Sequence, residues 1–74
     1  MSSFKFEVIE TLAILSEGSA GWQKELNLVS WNGRAPKYDI RDWSENHEKM
    51  GKGVTISPQE LEKLREALIK IENI

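Results

Sequence analysis

The 74-residue chain contains no cysteine, a single histidine and only two prolines. Without cysteine it can form neither disulfide bonds nor zinc sites built on thiolates. The longest apolar runs, such as residues 12–15, fall far short of the roughly 20 residues that span a bilayer. Residues 1–3 provide no basic segment ahead of an apolar stretch, so no signal peptide is expected. These absences predict a soluble cytoplasmic protein with neither a metal centre nor another cofactor.

The short length bears on oligomeric state. A chain of this size buries only about 60% of its unfolded surface on folding, which leaves a marginal hydrophobic core. Because disulfides are excluded, association of two copies is the remaining way to enlarge that core. We therefore expect one domain, residues 1–74, that forms a homodimer.

Four segments have the composition of β-strands. Residues 4–17 alternate largely between apolar and polar side chains, which predicts a long strand with one apolar side. That side would carry Phe4, Phe6, Val8, Leu12 and Ile14, with Ile9, Ala13 and Leu15 as exceptions. The second, third and fourth strands are predicted at residues 22–31, 37–43 and 54–56.

The connections between these strands have the chemistry of turns and loops. Residues 18–21 form a glycine-rich turn after the first strand, and Asn32-Gly33 is a strong hairpin signal. Pro36 delays the start of the third strand, because proline cannot donate to a β-ladder. Gly51 and Gly53 allow a bulge or the close approach of another backbone. A polar connector is expected at residues 44–49.

One helix follows the strands. Ser57 is the expected N-cap, Pro58 occupies the first helical position and Glu60 completes a capping box. The apolar stripe at 3-4-3 spacing is Leu61, Leu64, Leu68 and Ile71. The predicted fold class is therefore α+β: a four-stranded antiparallel meander followed by a C-terminal helix. Because one helix covers one face of a sheet, we expect the other face to be open to a ligand or partner.

The net charge of −2 conceals an uneven distribution. Residues 20–57 carry six basic and five acidic side chains, a net charge of +1, together with all three tryptophans. The rest of the chain carries four basic and seven acidic side chains, a net charge of −3. A small basic surface with aromatic rings is thus possible on an acidic protein.

Basic side chains among aromatic rings suit single-stranded nucleic acid, since cations contact phosphates and rings stack on bases. The candidate nucleic-acid-binding residues are Trp22, Lys24, Trp31, Arg34, Lys37, Arg41, Trp43, Lys49 and Lys52. Their ordinary roles stay open beside this one: tryptophans fill cores, and Arg41 beside Asp39 and Asp42 can form a solvated ion pair. Two other functions also remain: a protein-interaction module that uses the open sheet face or the helix stripe, and binding of RNA.

No catalytic constellation is recognisable. His47, the only imidazole, lies in the polar connector and is expected to be an exposed loop residue. Asp39 and Asp42 are three positions apart on a strand and point to opposite faces, so they cannot form a carboxylate pair. The segment around Lys52 lacks the Gly-Lys-Ser/Thr ending of a phosphate-binding loop. The sequence therefore predicts that the protein is not an enzyme.

Residues 37–43 and 50–58, followed by a helix, resemble the positive cofactor 4 family of transcriptional coactivators, most closely its bacterial YdbC-like members. The resemblance implies a strongly curved sheet, dimerisation through the helices and binding of single-stranded DNA with little sequence preference. It implies that Arg41 and Lys52 contact phosphate and that Trp31 or Trp43 stacks on bases. We therefore expect a transcriptional cofactor or regulator associated with the bacterial nucleoid, with the transcription machinery as a further partner.

Overall fold

The computed structural model describes residues 5–72. Within this range the chain forms the strands β1 (Phe6–Glu17), β2 (Gln23–Trp31), β3 (Lys37–Trp43) and β4 (Met50–Ile56), followed by the helix α1 (Pro58–Glu72). The strands form one antiparallel sheet in the order β1-β2-β3-β4. The predicted fold class is confirmed, while the predicted first strand position, Phe4, lies outside the described residues.

The β2–β3 hairpin turns at the residues that predicted it. Asn32 and Gly33 both have positive φ, 52° and 74°, as the two central residues of a type I′ turn require. The Arg34 N–H donates to the Trp31 carbonyl at 3.0 Å and closes the turn. The regular pairing of β2 with β3 runs from Gln23↔Trp43 to Val29↔Lys37, so residues 30–36 connect the paired positions and include this turn.

Strand β4 is longer than the sequence predicted. It begins at Met50, not at Val54 as expected, because the two glycines bring this segment against β3. Gly51 and Lys52 together lie opposite the single residue Asp42, which is the register shift of a β-bulge. The expected bulge and close backbone approach are thus confirmed, and they extend the sheet by four residues.

Strand β1 does not alternate with a period of two. Its twelve residues pair with the nine of β2, and one extra residue is accommodated at each of three bulges, at Ile9, Leu12 and Leu15. Side chains of β1 with the same position relative to the sheet therefore recur every three residues. One row pairs with the buried positions of β2 and consists of Val8, Thr11 and Ile14. The next row is Ile9, Leu12 and Leu15, which we call the bulge row.

The predicted single apolar side of β1 was therefore wrong. The expectation grouped Leu12 with Phe6 and Val8, whereas Leu12 is a bulged residue outside their row. A strict alternation cannot survive three bulges, because each one shifts the side-chain parity of everything that follows.

The sheet is strongly curved, which two contacts across its diagonal demonstrate. Phe6 pairs with one end of β2 and Trp43 with the other, about 27 Å apart along a flat strand. Their ring centroids are nevertheless 5.2 Å apart. The Arg41 guanidinium likewise lies 5.2 Å from the centroid of the Trp31 ring. Curvature thus folds the face that carries these side chains, here called the inner face, onto itself.

The inner face contains the core. Every residue classed as buried between residues 5 and 72 lies on it: Glu25, Asn27, Val29, Asp39 and Trp43. The sequence did not say which of the two faces would be open, so that expectation stays a prediction for the outer face; the inner face is not open. Side chains brought from the opposite corner of the curved sheet cover it, so no second layer is needed.

Helix α1 begins as predicted and projects from the sheet. The Glu60 N–H donates to Ser57 Oγ at 3.1 Å and the Ser57 N–H donates to Glu60 Oε1 at 2.8 Å, which is a reciprocal capping box. Leu61 is half-buried, whereas Leu68, further along the apolar stripe, is 52% exposed. No helix within the described range has the length and apolar character needed to cross a membrane.

Replacing Gly53 tests the close approach of β3 and β4. A Cβ on Gly53 would collide with Arg41 Cβ and lie 2.5 Å from the Ile40 carbonyl oxygen. We expect Gly53→Ala to lower the free energy of unfolding by about 2 kcal/mol or more, as overpacking does, measured by urea denaturation. Gly18→Ala is the control, because its Cβ would meet only ordinary contacts at 3.5 Å or more. Equal stability of the two variants would contradict this packing.

Candidate nucleic-acid interface

Arg41 is held on the inner face by a buried carboxylate. Its Nε and Nη2 donate to Asp39 Oδ1 and Oδ2 at 2.9 and 3.0 Å, a bidentate pair. Asp39 is fully buried and also accepts from Thr55 Oγ1 at 2.9 Å, whereas the Arg41 side chain is 16% exposed. The buried carboxylate of Asp39 thus fixes the position of the Arg41 guanidinium, part of which reaches the surface.

The same guanidinium joins three strands. Arg41 Nη1 donates to the Gly51 carbonyl at 3.1 Å, next to Lys52 in the bulge of β4. Its plane also lies over Trp31, the last residue of β2. Within residues 5–72 these bonds use three of its five N–H groups. The predicted phosphate-contacting residue Arg41 thus lies against a half-buried tryptophan, whereas the bulge pairs Lys52 with Asp42, a residue of the outer face.

More cations surround the Trp31 end of the sheet. The Arg34 N–H bonds the Trp31 carbonyl, and Lys37 shares the inner face with Arg41. Lys5 lies here as well, since its backbone exchanges hydrogen bonds with Asn32. We call this arrangement the basic arc; its members are Lys5, Trp31, Arg34, Lys37 and Arg41.

The other predicted residues lie at the opposite end of β2. Trp22 separates two shallow grooves, one lined by Lys24 and Asp42 and the other by Lys49. Glu45 and Glu48 line the second groove too. Lys24 belongs to the outer face of the sheet, away from Arg41. The nine predicted residues therefore form no single surface. Around Trp22, the two cations Lys24 and Lys49 lie among the three carboxylates Asp42, Glu45 and Glu48.

Trp43 lies in the core and not at the surface. It has no exposed area and packs against Phe6 and against His47, whose ring is perpendicular to it at 5.0 Å. A stacking ring needs an accessible face, so this structure leaves Trp22 and Trp31 as the available candidates. Trp31 is half-buried beneath Phe6, with ring centroids 6.1 Å apart.

The expectation that His47 is an exposed loop residue was wrong. It is half-buried, and its Nε2 lies 2.7 Å from Glu25 Oε1, which also accepts from Asn27 Nδ2 at 3.0 Å. Asn46 and His47 both have positive φ, 62° and 57°, so the turn is strained to deliver the ring. These contacts tie the β3–β4 connector to β2.

Sequence reasoning missed two residues that lie beside the Trp31 end of the sheet, one just before β1 and one at its start. Lys5 was counted among the acidic remainder and Phe6 only as a strand residue, yet both lie beside Trp31. Only the antiparallel register that pairs Phe6 with Trp31 could have placed them there. The acidic side chains and imidazole of residues 5–72 form no cluster of three or more suited to a metal ion.

Comparisons with known proteins identify the family of the segment that carries the site. The family model described as transcriptional coactivator p15 (PC4) matches residues 19–67, which include all of β2, β3 and β4. A relative from Treponema pallidum (strain Nichols), described as an uncharacterized protein, is 49% identical over 65 residues. That alignment covers 88% of this chain and 76% of the relative.

A double-mutant cycle tests the role of the Arg41–Asp39 pair. Arg41→Ala should cost roughly 3–5 kcal/mol of unfolding free energy, because it leaves a buried carboxylate without its partner. Asp39→Ala/Arg41→Ala should be less destabilised than the sum of the two single variants, measured by urea denaturation. Lys37→Ala, on the same strand face but exposed, should change stability by about 0.5 kcal/mol or less. Additive effects would show that the pair is not coupled.

Proposed function

Because the chain belongs to the PC4 family of transcriptional coactivators, we propose that it binds single-stranded DNA as a homodimer with little sequence preference. The observation that carries this proposal is the basic arc. Arg41 lies over Trp31 and bonds the carbonyl of Gly51, so a cation of β3, held in place by β4, lies over one aromatic ring. Such an arrangement can bind a backbone and a base together.

Each part of the arc has a defined task in this proposal. Lys37, Arg34 and Lys5 are exposed and contact phosphates, while Arg41 uses its remaining N–H groups for the same purpose. Trp31 stacks on a base through its exposed part, a contact worth about 1–3 kcal/mol. None of these contacts reads the hydrogen-bonding edge of a base, which accounts for the weak sequence preference.

The homodimer accounts for the surface that a single chain leaves exposed. The chain exposes 5794 Å², whereas a compact monomer of its mass exposes about 4,700 Å². Its radius of gyration is 13.7 Å, against about 11 Å for a compact chain of this length. The excess of about 1,100 Å² is comparable to the roughly 800 Å² that each partner buries in a standard interface. Leu68 and Ile71, 52% and 61% exposed, form the seam.

We further propose that the protein works on unpaired DNA in the bacterial nucleoid, as a cofactor of the transcription machinery. The family match supports this assignment. An acidic chain can do so because its charges are segregated, with the basic side chains gathered at one region of the sheet.

Titration with oligo-dT tests the proposal. We expect quenching of tryptophan fluorescence by oligo-dT at low salt, weaker with a matching duplex, and loss of affinity as salt rises. Lys37→Gln and Lys52→Gln should each weaken binding several-fold and lower the slope of log K against log salt by about 0.7. Lys63→Gln, the same charge change on the exposed side of α1, should leave binding unchanged.

Three outcomes would contradict this proposal. Absence of a response to oligo-dT at low salt would exclude binding of single-stranded DNA. A stronger response to an RNA oligomer would replace DNA by RNA as the ligand. An equal effect of Lys63→Gln and Lys37→Gln would show that net charge, and not the basic arc, governs binding.

Light scattering after size exclusion tests the dimer. The expected mass is twice the 8.5 kDa of the chain. Leu68→Glu/Ile71→Glu should yield the monomer, because it places charges in the proposed apolar seam, whereas Gln59→Glu on the exposed first turn of α1 should not. A wild-type mass of 8.5 kDa would contradict the proposed dimer.

A further inference from the structure

The bulge row of β1 is an exposed apolar surface that the proposed function does not use. Its members Ile9, Leu12 and Leu15 are 47%, 43% and 51% exposed. All three are large aliphatic side chains that the bulges displace from the regular ladder. Contiguous apolar side chains in contact with water usually mark an interaction surface.

The bulges limit how a partner can bind at this edge of the sheet. β1 is an edge strand, and such strands ordinarily invite the addition of another strand. Bulges at every third residue interrupt the required ladder, so the edge binds through its side chains. Successive members of the row advance by two residues of β2, about 7 Å. This spacing is close to the roughly 5–6 Å between neighbouring side chains on one side of a helix.

The charges around the row specify the partner's chemistry. Residues 6–23 contain three carboxylates and no lysine, arginine or histidine. Glu7, Glu10 and Glu17 are exposed, and no ion pair involves them within residues 5–72. On the neighbouring strand, Lys24 pairs with Ser16 at the Leu15 end of the row and lines a groove with Asp42. The other end of the row, beside Glu7 and Glu10, is negative and therefore complementary to a helix that carries leucine-like side chains beside lysine or arginine.

A second copy of the chain and DNA both fit this edge poorly. Another β1 would oppose the same three carboxylates, and the distal part of α1 carries Glu66 and Glu72 against Lys70. Nucleic acid would be repelled by the unbalanced negative charge. Charge complementarity therefore favours a different protein.

We propose that the β1 edge binds a basic amphipathic helix of a partner protein. The apolar side of that helix packs on Ile9, Leu12 and Leu15, and its cations pair with Glu7 and Glu10. Because Glu7 and Glu10 pair with the outer-face positions of β2, whereas Trp31, Lys37 and Arg41 lie on the inner face, the partner can bind while the basic arc holds its ligand.

A designed peptide provides the probe. A fluorescein-labelled amphipathic 14-mer of leucine and lysine is titrated with the dimeric protein, and its anisotropy is measured at physiological salt. Leu12→Ser/Leu15→Ser and Glu7→Gln/Glu10→Gln should each weaken binding about tenfold. Glu62→Gln/Glu66→Gln removes the same charge from the exposed side of α1 and should change binding less than about twofold. Far-ultraviolet circular dichroism establishes that each variant is folded.

Several results would overturn the proposal. Equal weakening by the β1 and α1 charge variants would mean unspecific attraction between an acidic protein and a basic peptide. Unchanged binding by Leu12→Ser/Leu15→Ser would exclude the apolar row as the contact. A shift of the wild-type dimer to monomer in that variant would assign the row to self-association. The oligo-dT titration should be unaffected in all β1 variants, so failure here and failure of DNA binding are distinguishable.

Discussion

The bidentate pair between Arg41 and the fully buried Asp39 is the interaction on which the rest of the site depends. A buried carboxylate is costly without a counter-charge, so the guanidinium must remain where it is. From that position it bonds the carbonyl of Gly51 and lies over the ring of Trp31. One side chain therefore links β3 to β4 and to the far end of β2. The cation proposed to contact phosphate is held by the contacts that stabilise the fold.

The segregation of charge explains how a chain with a net charge of −2 can bind a polyanion. Attraction depends on the local field, which the Debye length of about 8 Å confines to the surface that the ligand approaches. Antiparallel pairing brings Lys5 to Arg34 and Lys37, although almost thirty positions separate it from Arg34 in sequence. Glu7 and Glu10 lie on the strand that follows Lys5 but pair with outer-face positions of β2, away from Lys37 and Arg41. The fold therefore separates positive from negative side chains on the surface, which the composition does not reveal.

Local signals predicted the parts of the fold that depend on neighbouring residues. The Asn32-Gly33 turn and the capping box between Ser57 and Glu60 form as their chemistry requires. The environments of Trp43 and His47 were not predictable in this way, because curvature brings together side chains from opposite corners of the sheet. Trp43 is buried against Phe6, and His47 is half-buried through its contacts with Glu25 and Trp43. No pattern within one strand records such contacts, so parity alone could not separate a stacking ring from a core ring.

The mismatch between twelve residues in β1 and nine in β2 connects the curvature with the exposed bulge row. Each bulge bends and twists the edge strand, which helps Phe6 to cross the inner face and reach Trp43. Each bulge also leaves one side chain outside the ladder, and in this chain all three are aliphatic. Deleting a bulged residue would restore the regular ladder at that point and remove one side chain from the bulge row. Because twelve residues of β1 pair with nine of β2, three side chains necessarily stand outside the ladder at this edge. Their shared apolar character does not follow from the pairing, and a partner helix would explain it.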